Sequence, residues 1–243
     1  MKLKVIGSGS KGNGYVLTNE RESLLLEIGV PFKEIKKSLG YNFFSIQGCL
    51  ISHQHKDHCS NVRELTSTGV PIYSNDETQE FIDKVYNERI IGVQANKNIN
   101  VGKFQAAPFY LPHDDVPNFG YLLEHEEMGR LLFMTDYEYC PFVFKDFGID
   151  HMLIECNYID KYIDRTSAKY KHVLRGHAGL DVVLDFIKAN QTNNLQNIIL
   201  CHLSDGSSNE NEILQAVKEI VGPAVNVFIA KKNLEVKVNK YPF

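Results

Sequence analysis

Cysteine is scarce in this chain and follows no recognisable metal-binding or disulfide pattern. There are five cysteines among 243 residues, and no two of them form a Cys-x-x-Cys pair. Widely spaced single cysteines are typical of reduced thiols, whereas disulfide frameworks and structural zinc sites use closely paired ones. The sequence therefore predicts free thiols, with Cys49 and Cys201 packed as small hydrophobic side chains in apolar strands.

Long apolar stretches are also missing. The longest runs, such as residues 24–26 and 198–201, have the length of β-strands, whereas a membrane-spanning helix needs about 20 apolar residues. The first seven residues contain two lysines but lack the apolar core of a secretory signal. These features predict a cytoplasmic protein without membrane segments.

Neither sign of charge is in strong excess. Lys and Arg total 26 and Asp and Glu total 30, which gives a formal net charge of −4. The chain therefore lacks the overall basic excess of proteins that coat DNA, although a local basic groove is compatible with these numbers. Because 43% of the residues are hydrophobic and 23% are charged, we expect residues 1–243 to form one globular domain.

Hydrophobic periodicity predicts strands and helices in both halves of the chain. Three short strands in the first 28 residues precede a helix that begins at Pro31, and further helices are expected at residues 76–86, 180–189 and 210–221. Successive strands fill the middle, from Ile99 to Glu155. This mixture indicates an α+β protein built as a four-layered αββα sandwich.

A glycine-rich segment lies between the first two predicted strands. Residues 7–12, Gly-Ser-Gly-Ser-Lys-Gly, match the glycine pattern of dinucleotide-binding proteins, and the acidic Glu27 follows at a suitable distance. That fold needs a helix directly after the glycines, because the pyrophosphate binds at the helix N-terminus. Residues 13–19 instead have the pattern of a turn and a strand. We therefore interpret the motif as a tight connection between strands and expect no nucleotide cofactor.

The strongest chemical signal is a run of histidines and an aspartate after the strand that ends at Ser52. His53, His55, Asp57 and His58 lie within six residues. Such a loop buries little apolar surface, whereas imidazole nitrogens and carboxylate oxygens are preferred ligands of zinc, manganese and iron. The run therefore predicts a metal site.

This run resembles the H-x-H-x-D-H motif of the metallo-β-lactamase superfamily, which likewise follows a strand. Later elements of that family occur in order, with His113 after the middle strands, Asp136 after an apolar strand and His202 at the end of a late strand. The resemblance covers nearly the whole chain and implies the αββα fold with a dinuclear metal site at one edge of the sheets. It implies one metal held by His53, His55 and His113, a second held by Asp57, His58 and His202, and Asp136 as the bridge between them.

Two divalent ions, zinc or manganese, are the cofactors that follow from this resemblance. Two metals about 3.5–4 Å apart activate water near neutral pH and stabilise a developing oxyanion, so hydrolysis by a metal-bridging hydroxide is the implied reaction. Asp57 is expected to serve in catalysis as well as in metal binding.

Three further segments resemble the YycJ/WalJ-like branch, whose single-domain members are regarded as exonuclease-like phosphodiesterases. They are Glu155-Cys156-Asn157 at a strand end, Gly176-His177 before a helix, and His202-Leu203-Ser204. The branch implies a nucleic acid substrate, DNA or RNA. His177 is the candidate that protonates the leaving oxygen or stabilises charge on the phosphorane, and its alternative role is to support a ligand or cap a helix.

A local basic stretch precedes this histidine. Lys169, Lys171 and Arg175 are candidates for contacts with substrate phosphates. A solvated helix face is the alternative interpretation. Lys11 in the glycine-rich segment and Lys56 in the histidine run are further candidates.

Two positions depart from the family pattern. Glu27 stands where the family usually has aspartate, so the support of the histidine run is expected to change, and Tyr158 replaces a histidine of the branch. Elsewhere, His125 is expected to be solvated at a charged hairpin end, His151 to be structural, and Phe144 and its aromatic neighbours to lie in the core.

The sequence leaves two other functions open. One is a small-molecule hydrolase on the same fold, such as a thioesterase, a lactonase or a cyclic-nucleotide phosphodiesterase, because a fold does not determine a substrate. The other is a non-catalytic binding module that keeps a metal for structure, although a structural site needs no open coordination position. Zinc against manganese, DNA against RNA, exonuclease against endonuclease, and the oligomeric state are also left open.

Overall fold

The computed structural model describes residues 1–88, 90–168 and 170–241. Two seven-stranded sheets lie at its centre. The first sheet contains, in spatial order, Glu235–Lys237 (β14), Lys2–Gly7 (β1), Gly14–Thr18 (β2), Ser23–Leu26 (β3), Ile46–Leu50 (β4), Ile72–Ser74 (β5) and Ile91–Gly92 (β6). The second contains Asn226–Ile229 (β13), Asn197–Cys201 (β12), His151–Glu155 (β11), Gly129–Met134 (β10), Asn118–His125 (β9), Phe104–Leu111 (β8) and Ile99–Val101 (β7).

Helices cover the outer face of each sheet. The first sheet is covered by Phe32–Ser38 (α1), Lys56–Cys59 (α2), Val62–Thr66 (α3) and Asp76–Tyr86 (α4). The second sheet is followed by Tyr170–Gly176 (α5), Leu180–Asn190 (α6) and Glu210–Val221 (α7), with 3₁₀ turns at Lys145–Phe147 and Asp160–Tyr162. Buried side chains of α6 and α7 pack against this sheet.

Alternation of side chains along the strands separates the layers. Leu24 and Leu26 of β3 lie between the two sheets, whereas Leu25 packs against the helices of the first sheet. On β10, Leu131 and Phe133 likewise point between the sheets. Because successive strand residues face opposite sides, each strand contributes to two cores. The predicted four-layered αββα sandwich is confirmed.

Strand direction gathers the polar segments at one edge. β10 to β13 are parallel, and β8 runs in the same direction because it pairs antiparallel with β9, which pairs antiparallel with β10. β3, β4 and β5 are parallel in the first sheet. The chain therefore reaches His53, His113, Asp136, Glu155 and His202 at the carboxyl ends of their strands, where α/β sheets commonly bind ligands.

Most predicted elements agree with the structure, and two local expectations are wrong. The helices Asp76–Tyr86 and Glu210–Val221 have the predicted bounds, and Lys171 and Arg175 of the basic stretch lie on α5. Phe144 is buried as expected, but its neighbours Phe142 and Phe147 are exposed. All five cysteines are free. Within the three described ranges, no helix is long and apolar enough to cross a membrane.

His125 is buried rather than solvated, which contradicts the expectation from its charged neighbours. Its Nε2 atom lies 3.3 Å from Oε1 of Glu22, and its ring packs 4.7 Å from that of Phe104. The sequence around His125 could not reveal this partner, because Glu22 is distant along the chain and meets it only when the two sheets pack.

His151 lies at the opposite end of β11 from Glu155, so it is remote from the edge that carries the other histidines. Its side chain is fully buried, and its Nδ1 atom accepts a hydrogen bond of 2.9 Å from Asn197. Burial lowers the pKa of His151 to about 4. Since an unfolded histidine has a pKa of about 6.5, the unfolded chain binds the proton first as the pH falls.

We therefore predict that His151 makes the metal-free protein less stable in mild acid. Between about pH 7.5 and pH 5, the free energy of unfolding should fall by about 2 kcal/mol more in the native chain than in a His151→Gln variant. Urea titrations at both pH values measure this difference. Equal pH dependence in the two proteins would show that His151 is not held neutral by the fold.

Candidate metal centre

Three histidine nitrogens and one carboxylate oxygen converge where β4, β8 and β10 end. Nε2 of His53 lies 2.8 Å from Nδ1 of His55, and Nε2 of His113 lies 3.2 Å from the same atom. Oδ2 of Asp136 lies 3.9 Å from Nε2 of His53 and 4.0 Å from Nε2 of His113. These residues are called the first group.

A second group adjoins the first. Nε2 of His58 lies 3.3 Å from Oδ2 of Asp57 and 3.4 Å from Oδ2 of Asp136. Nε2 of His202 lies 3.6 Å from Oδ2 of Asp57. Asp57, His58 and His202 therefore form a second set of ligand atoms, and Asp136 belongs to both groups.

The donor set fits a divalent cation. In each group the possible ligand atoms all lie within 4.8 Å of one another. Within the described part of the chain, the buried Nε2 atom of His202 has no hydrogen-bond partner, and such an atom is costly unless something else binds it. Imidazole nitrogens with carboxylate oxygens are suited to zinc and manganese. The structure thus brings all seven predicted ligands together in a cluster suited to divalent metal binding.

Proton affinities differ between the two groups. Burial lowers the pKa of His53, His55 and His113, so these rings are neutral at neutral pH and their lone pairs are available. Burial also opposes protonation of His58 and His202, but the Asp136 carboxylate and other acidic neighbours outweigh it. The pKa of both rings is therefore raised, to about 10 for His202. A cation that binds the second group must therefore displace protons.

Hydrogen bonds orient the ligand histidines through their other ring nitrogens. Such partners select the tautomer that offers its lone pair to a metal. The pairs are Ser52 Oγ with His53 Nδ1 at 2.8 Å, the Gly176 carbonyl with His113 Nδ1 at 2.7 Å, and Glu155 Oε1 with His202 Nδ1 at 3.0 Å.

Glu27 supports the second group despite its extra methylene. It is fully buried, its Oε1 atom accepts a hydrogen bond of 3.0 Å from the Ser52 amide, and its Oε2 atom lies 3.5 Å from Nδ1 of His58. Its backbone has a φ of 62°, which changes the direction of the chain directly after β3. The side chain of Glu27 therefore reaches the histidine run, and the predicted change of support stays a prediction.

Glu155 and His177 adjoin the cluster, and with Asp136 and His202 they form a third group whose possible ligand atoms lie within 4.8 Å of one another. Nδ1 of His177 lies 2.7 Å from Oε1 of Glu155, and the His177 ring stacks 5.2 Å from the ring of His202. Burial opposes protonation of His177, but the Glu155 carboxylate outweighs it and raises the pKa. The sequence identified Glu155 only as part of a motif. Its contact with His202 comes from the adjacency of β11 and β12, and its contact with His177 from the segment after α5.

The basic candidates near His177 belong to the segment that contains α5. Lys171 and Arg175 are exposed on one face of α5, whereas Lys169 lies outside the described residues. The end of α5 is fixed to the loop after β8, because the Asp114 amide donates to the Arg175 carbonyl at 2.9 Å and His172 hydrogen-bonds the Asp114 carboxylate.

The remaining candidates have other surroundings. Lys56 is exposed on α2, and Lys11 forms an exposed ion pair of 3.0 Å with Asp205. Tyr158, which replaces a histidine of the branch, is buried against Gly179 and belongs to none of the groups of possible ligands among the described residues.

The fold and this cluster define a metal-dependent hydrolase of the β-lactamase superfamily. Residues 34–220 match the beta-lactamase superfamily domain, and the chain therefore belongs to that superfamily.

More particular similarities are distant. The chain is 26% identical over 147 residues to exodeoxyribonuclease WalJ of Streptococcus pneumoniae serotype 2, covering 56% of this chain and 55% of WalJ. It thus spans about half the length of the curated relatives it matches. The structure of YhfI from Bacillus subtilis, a metallo-beta-lactamase fold protein, aligns with a TM-score of 0.76 and 20% identity over 97% of this chain and 98% of YhfI. The short form of human tRNase Z aligns with a TM-score of 0.66 and 17% identity over 98% and 99% of the two chains. These two structures show the fold.

We predict that Glu27→Gln weakens metal binding without unfolding the protein. The glutamine oxygen can still accept from the Ser52 amide, but its NH₂ group then faces Nδ1 of His58 and favours a proton on Nε2. Loss of such an orienting contact typically costs about 10–100-fold in metal affinity. Competition with a chelator measures the affinity, and the exposed Glu20→Gln is the matched control. Unchanged affinity in Glu27→Gln would show that Glu27 does not orient His58.

Proposed function

We propose that this protein is a phosphodiesterase that cleaves nucleic acid with two divalent ions. The observation that carries the proposal is the Glu155–His177 pair beside the metal-binding cluster, because a phosphodiester needs a proton donor for its leaving oxygen. The similarity to an exodeoxyribonuclease, WalJ, supports the same substrate class.

The seven ligands divide between the two ions as the two groups suggest. His53, His55 and His113 would hold one ion, Asp57, His58 and His202 the other, and Asp136 both. When bound, such ions supply an activated water and neutralise charge on the phosphate. Asp57, with a side chain that is one-quarter exposed, and His55 are the partly exposed ligands.

His177 is proposed to move the proton. Glu155 accepts a hydrogen bond from its Nδ1 atom and stabilises the protonated ring. Nε2 has no hydrogen-bond partner among the described residues, so it is the atom that would donate to the leaving oxygen. Stacking on His202 holds the ring beside the second group, which keeps the donor close to the phosphate.

Lys171 and Arg175 are proposed to contact phosphates of a polymer outside the cluster. Both are exposed on α5, whose end contacts the loop that carries His113. No salt bridge between them and an acidic side chain occurs in residues 1–88, 90–168 and 170–241, which leaves their charges available to a nucleic acid backbone.

We predict metal-dependent cleavage of end-labelled DNA or RNA by the purified protein. Single-stranded DNA, double-stranded DNA and RNA are incubated with and without Mn²⁺ or Zn²⁺, and the product ladder gives the polarity. Asp57→Ala and Asp136→Ala should be inactive, and His177→Ala should lose about 10²–10⁴-fold in kcat. If no polymer is cut by protein that binds two metals, a small ester or cyclic nucleotide is the better substrate class.

We also predict that the basic side chains of α5 contribute to the cleavage of a polymer but not to that of a small diester. A Lys171→Ala/Arg175→Ala variant should cleave the polymer less efficiently, with a salt dependence weaker by about one unit of log–log slope per lost contact. Its activity on bis(p-nitrophenyl) phosphate should remain that of the native protein. Lys84→Ala, an exposed lysine on α4, is the control. Equal losses of activity on both substrates would show that these side chains of α5 stabilise the site and do not bind the polymer.

A further inference from the structure

The glycine-rich segment between β1 and β2 contacts the metal-binding cluster. Oγ of Ser8 accepts a hydrogen bond of 2.8 Å from the backbone amide of His202. The backbone amide of Asn13 donates to the carbonyl of Asp57 at 2.7 Å. A segment that resembles a nucleotide-binding motif in sequence therefore lies against the second group of ligands.

Asn13 makes the closest side-chain contacts of this segment with the ligands. Its side chain is fully buried, and its Nδ2 atom lies 3.1 Å from Nε2 of His58, 3.3 Å from the Asp57 carbonyl oxygen and 3.4 Å from Oδ2 of Asp57. An amide NH₂ group only donates, so in neutral His58 the Nε2 atom must accept and the proton lies on Nδ1, facing Glu27. A metal on His58 would take the Nε2 lone pair that Asn13 contacts, so Asn13 supports the second group through Asp57, while Glu27 holds the Nδ1 side of His58.

Hydrogen bonds and a close backbone approach hold the segment in place. The Tyr15 hydroxyl donates to Oγ of Ser8 at 2.9 Å, and the Gly9 amide donates to Oδ1 of Asn13 at 2.9 Å. Gly12 has a φ of 135°, and a Cβ there would lie 2.4 Å from the carbonyl oxygen of Gly29. A residue with a side chain at position 12 could not approach Gly29 this closely. The close approach places Asn13, the next residue, against Asp57.

The first group has supports other than Ser8 and Asn13. His53 is oriented by Ser52, and His113 is oriented by the carbonyl at the end of α5. In the part of the chain that the structure describes, neither Ser8 nor Asn13 hydrogen-bonds a histidine of the first group. Ser52 also lies 3.5 Å from Nδ1 of His58, whereas the contacts of Ser8 and Asn13 are with the second group.

We propose that Ser8 and Asn13 are positioning residues for the second group alone, and that they determine the occupancy of one of the two ions. This inference rests on the two-ion site proposed above. It predicts that loss of either side chain weakens the ion at Asp57, His58 and His202, while the ion at the first group stays bound.

The test measures metal content and affinity rather than activity. Asn13→Ala and Ser8→Ala are loaded with zinc and titrated with a chelator, and the content is determined by elemental analysis. The native protein should hold two ions, and each variant should hold the weaker ion about 10–100-fold less tightly. Ser8→Thr keeps the hydroxyl and should restore the native affinity, and the exposed Ser10→Ala is the matched control. Co²⁺ absorption spectra report which ligand set remains.

The outcomes separate this inference from the proposed function. A native protein that holds only one ion overturns the two-ion site and this inference with it. Two ions in the native protein with unchanged affinities in Asn13→Ala and Ser8→Ala overturn this inference alone, as does an equal loss of both ions. Should Asn13→Ala fail to fold, as judged by thermal unfolding of the metal-free protein, the Ser8→Ala and Ser8→Thr pair decides the question.

Discussion

The site depends on one buried carboxylate, that of Asp136, which is 3% exposed and lies within reach of both groups of ligands. Burying a charge is costly unless oppositely charged or hydrogen-bonding partners surround it. Here burial opposes ionisation, but His202 and His58 outweigh it and hold the pKa of Asp136 well below its usual range. The Thr135 hydroxyl donates to its Oδ1 atom at 2.8 Å, which leaves Oδ2 facing both groups. The two groups of ligands thus share the negative charge of Asp136, and each group depends on it.

The backbone at the strand ends is arranged to bring such side chains inward. Glu27, Asp136 and His202 have φ values of 62°, 52° and 53°, a left-handed region that costs side-chain-bearing residues on the order of 1–2 kcal/mol each. All three lie within two residues of the end of a strand whose side chains are almost all buried. The packed cores between and outside the sheets offset this local strain, and the turn of the chain directs each side chain across the edge of the sheet rather than into solvent.

Local patterns in the sequence predicted much of this arrangement. Four candidate ligands are close along the chain, namely His53, His55, Asp57 and His58, so a shared role in metal binding can be predicted from the sequence alone. The αββα layers follow from strand and helix periodicity, and the helix of residues 210–221 was predicted to the residue. Contacts between distant segments were not predictable in this way. The pairing of His125 with Glu22 and the approach of Asn13 to Asp57 depend on how the sheets and turns pack, and a glycine-rich pattern does not reveal what it contacts.

The sequence by itself determined the kinds of ligand atom and the order of the elements, because a motif states which side chains follow which strand. Only the tertiary structure decided how those atoms divide into two groups that share Asp136, and which residues support each group. Strand direction is the physical reason: β4, β8, β10 and β12 come from distant parts of the chain, and only their packing in two facing sheets places their carboxyl ends at one edge. The contacts of Glu27, Glu155 and Asn13 arise there, because each meets a histidine that is at least 22 residues away in the sequence.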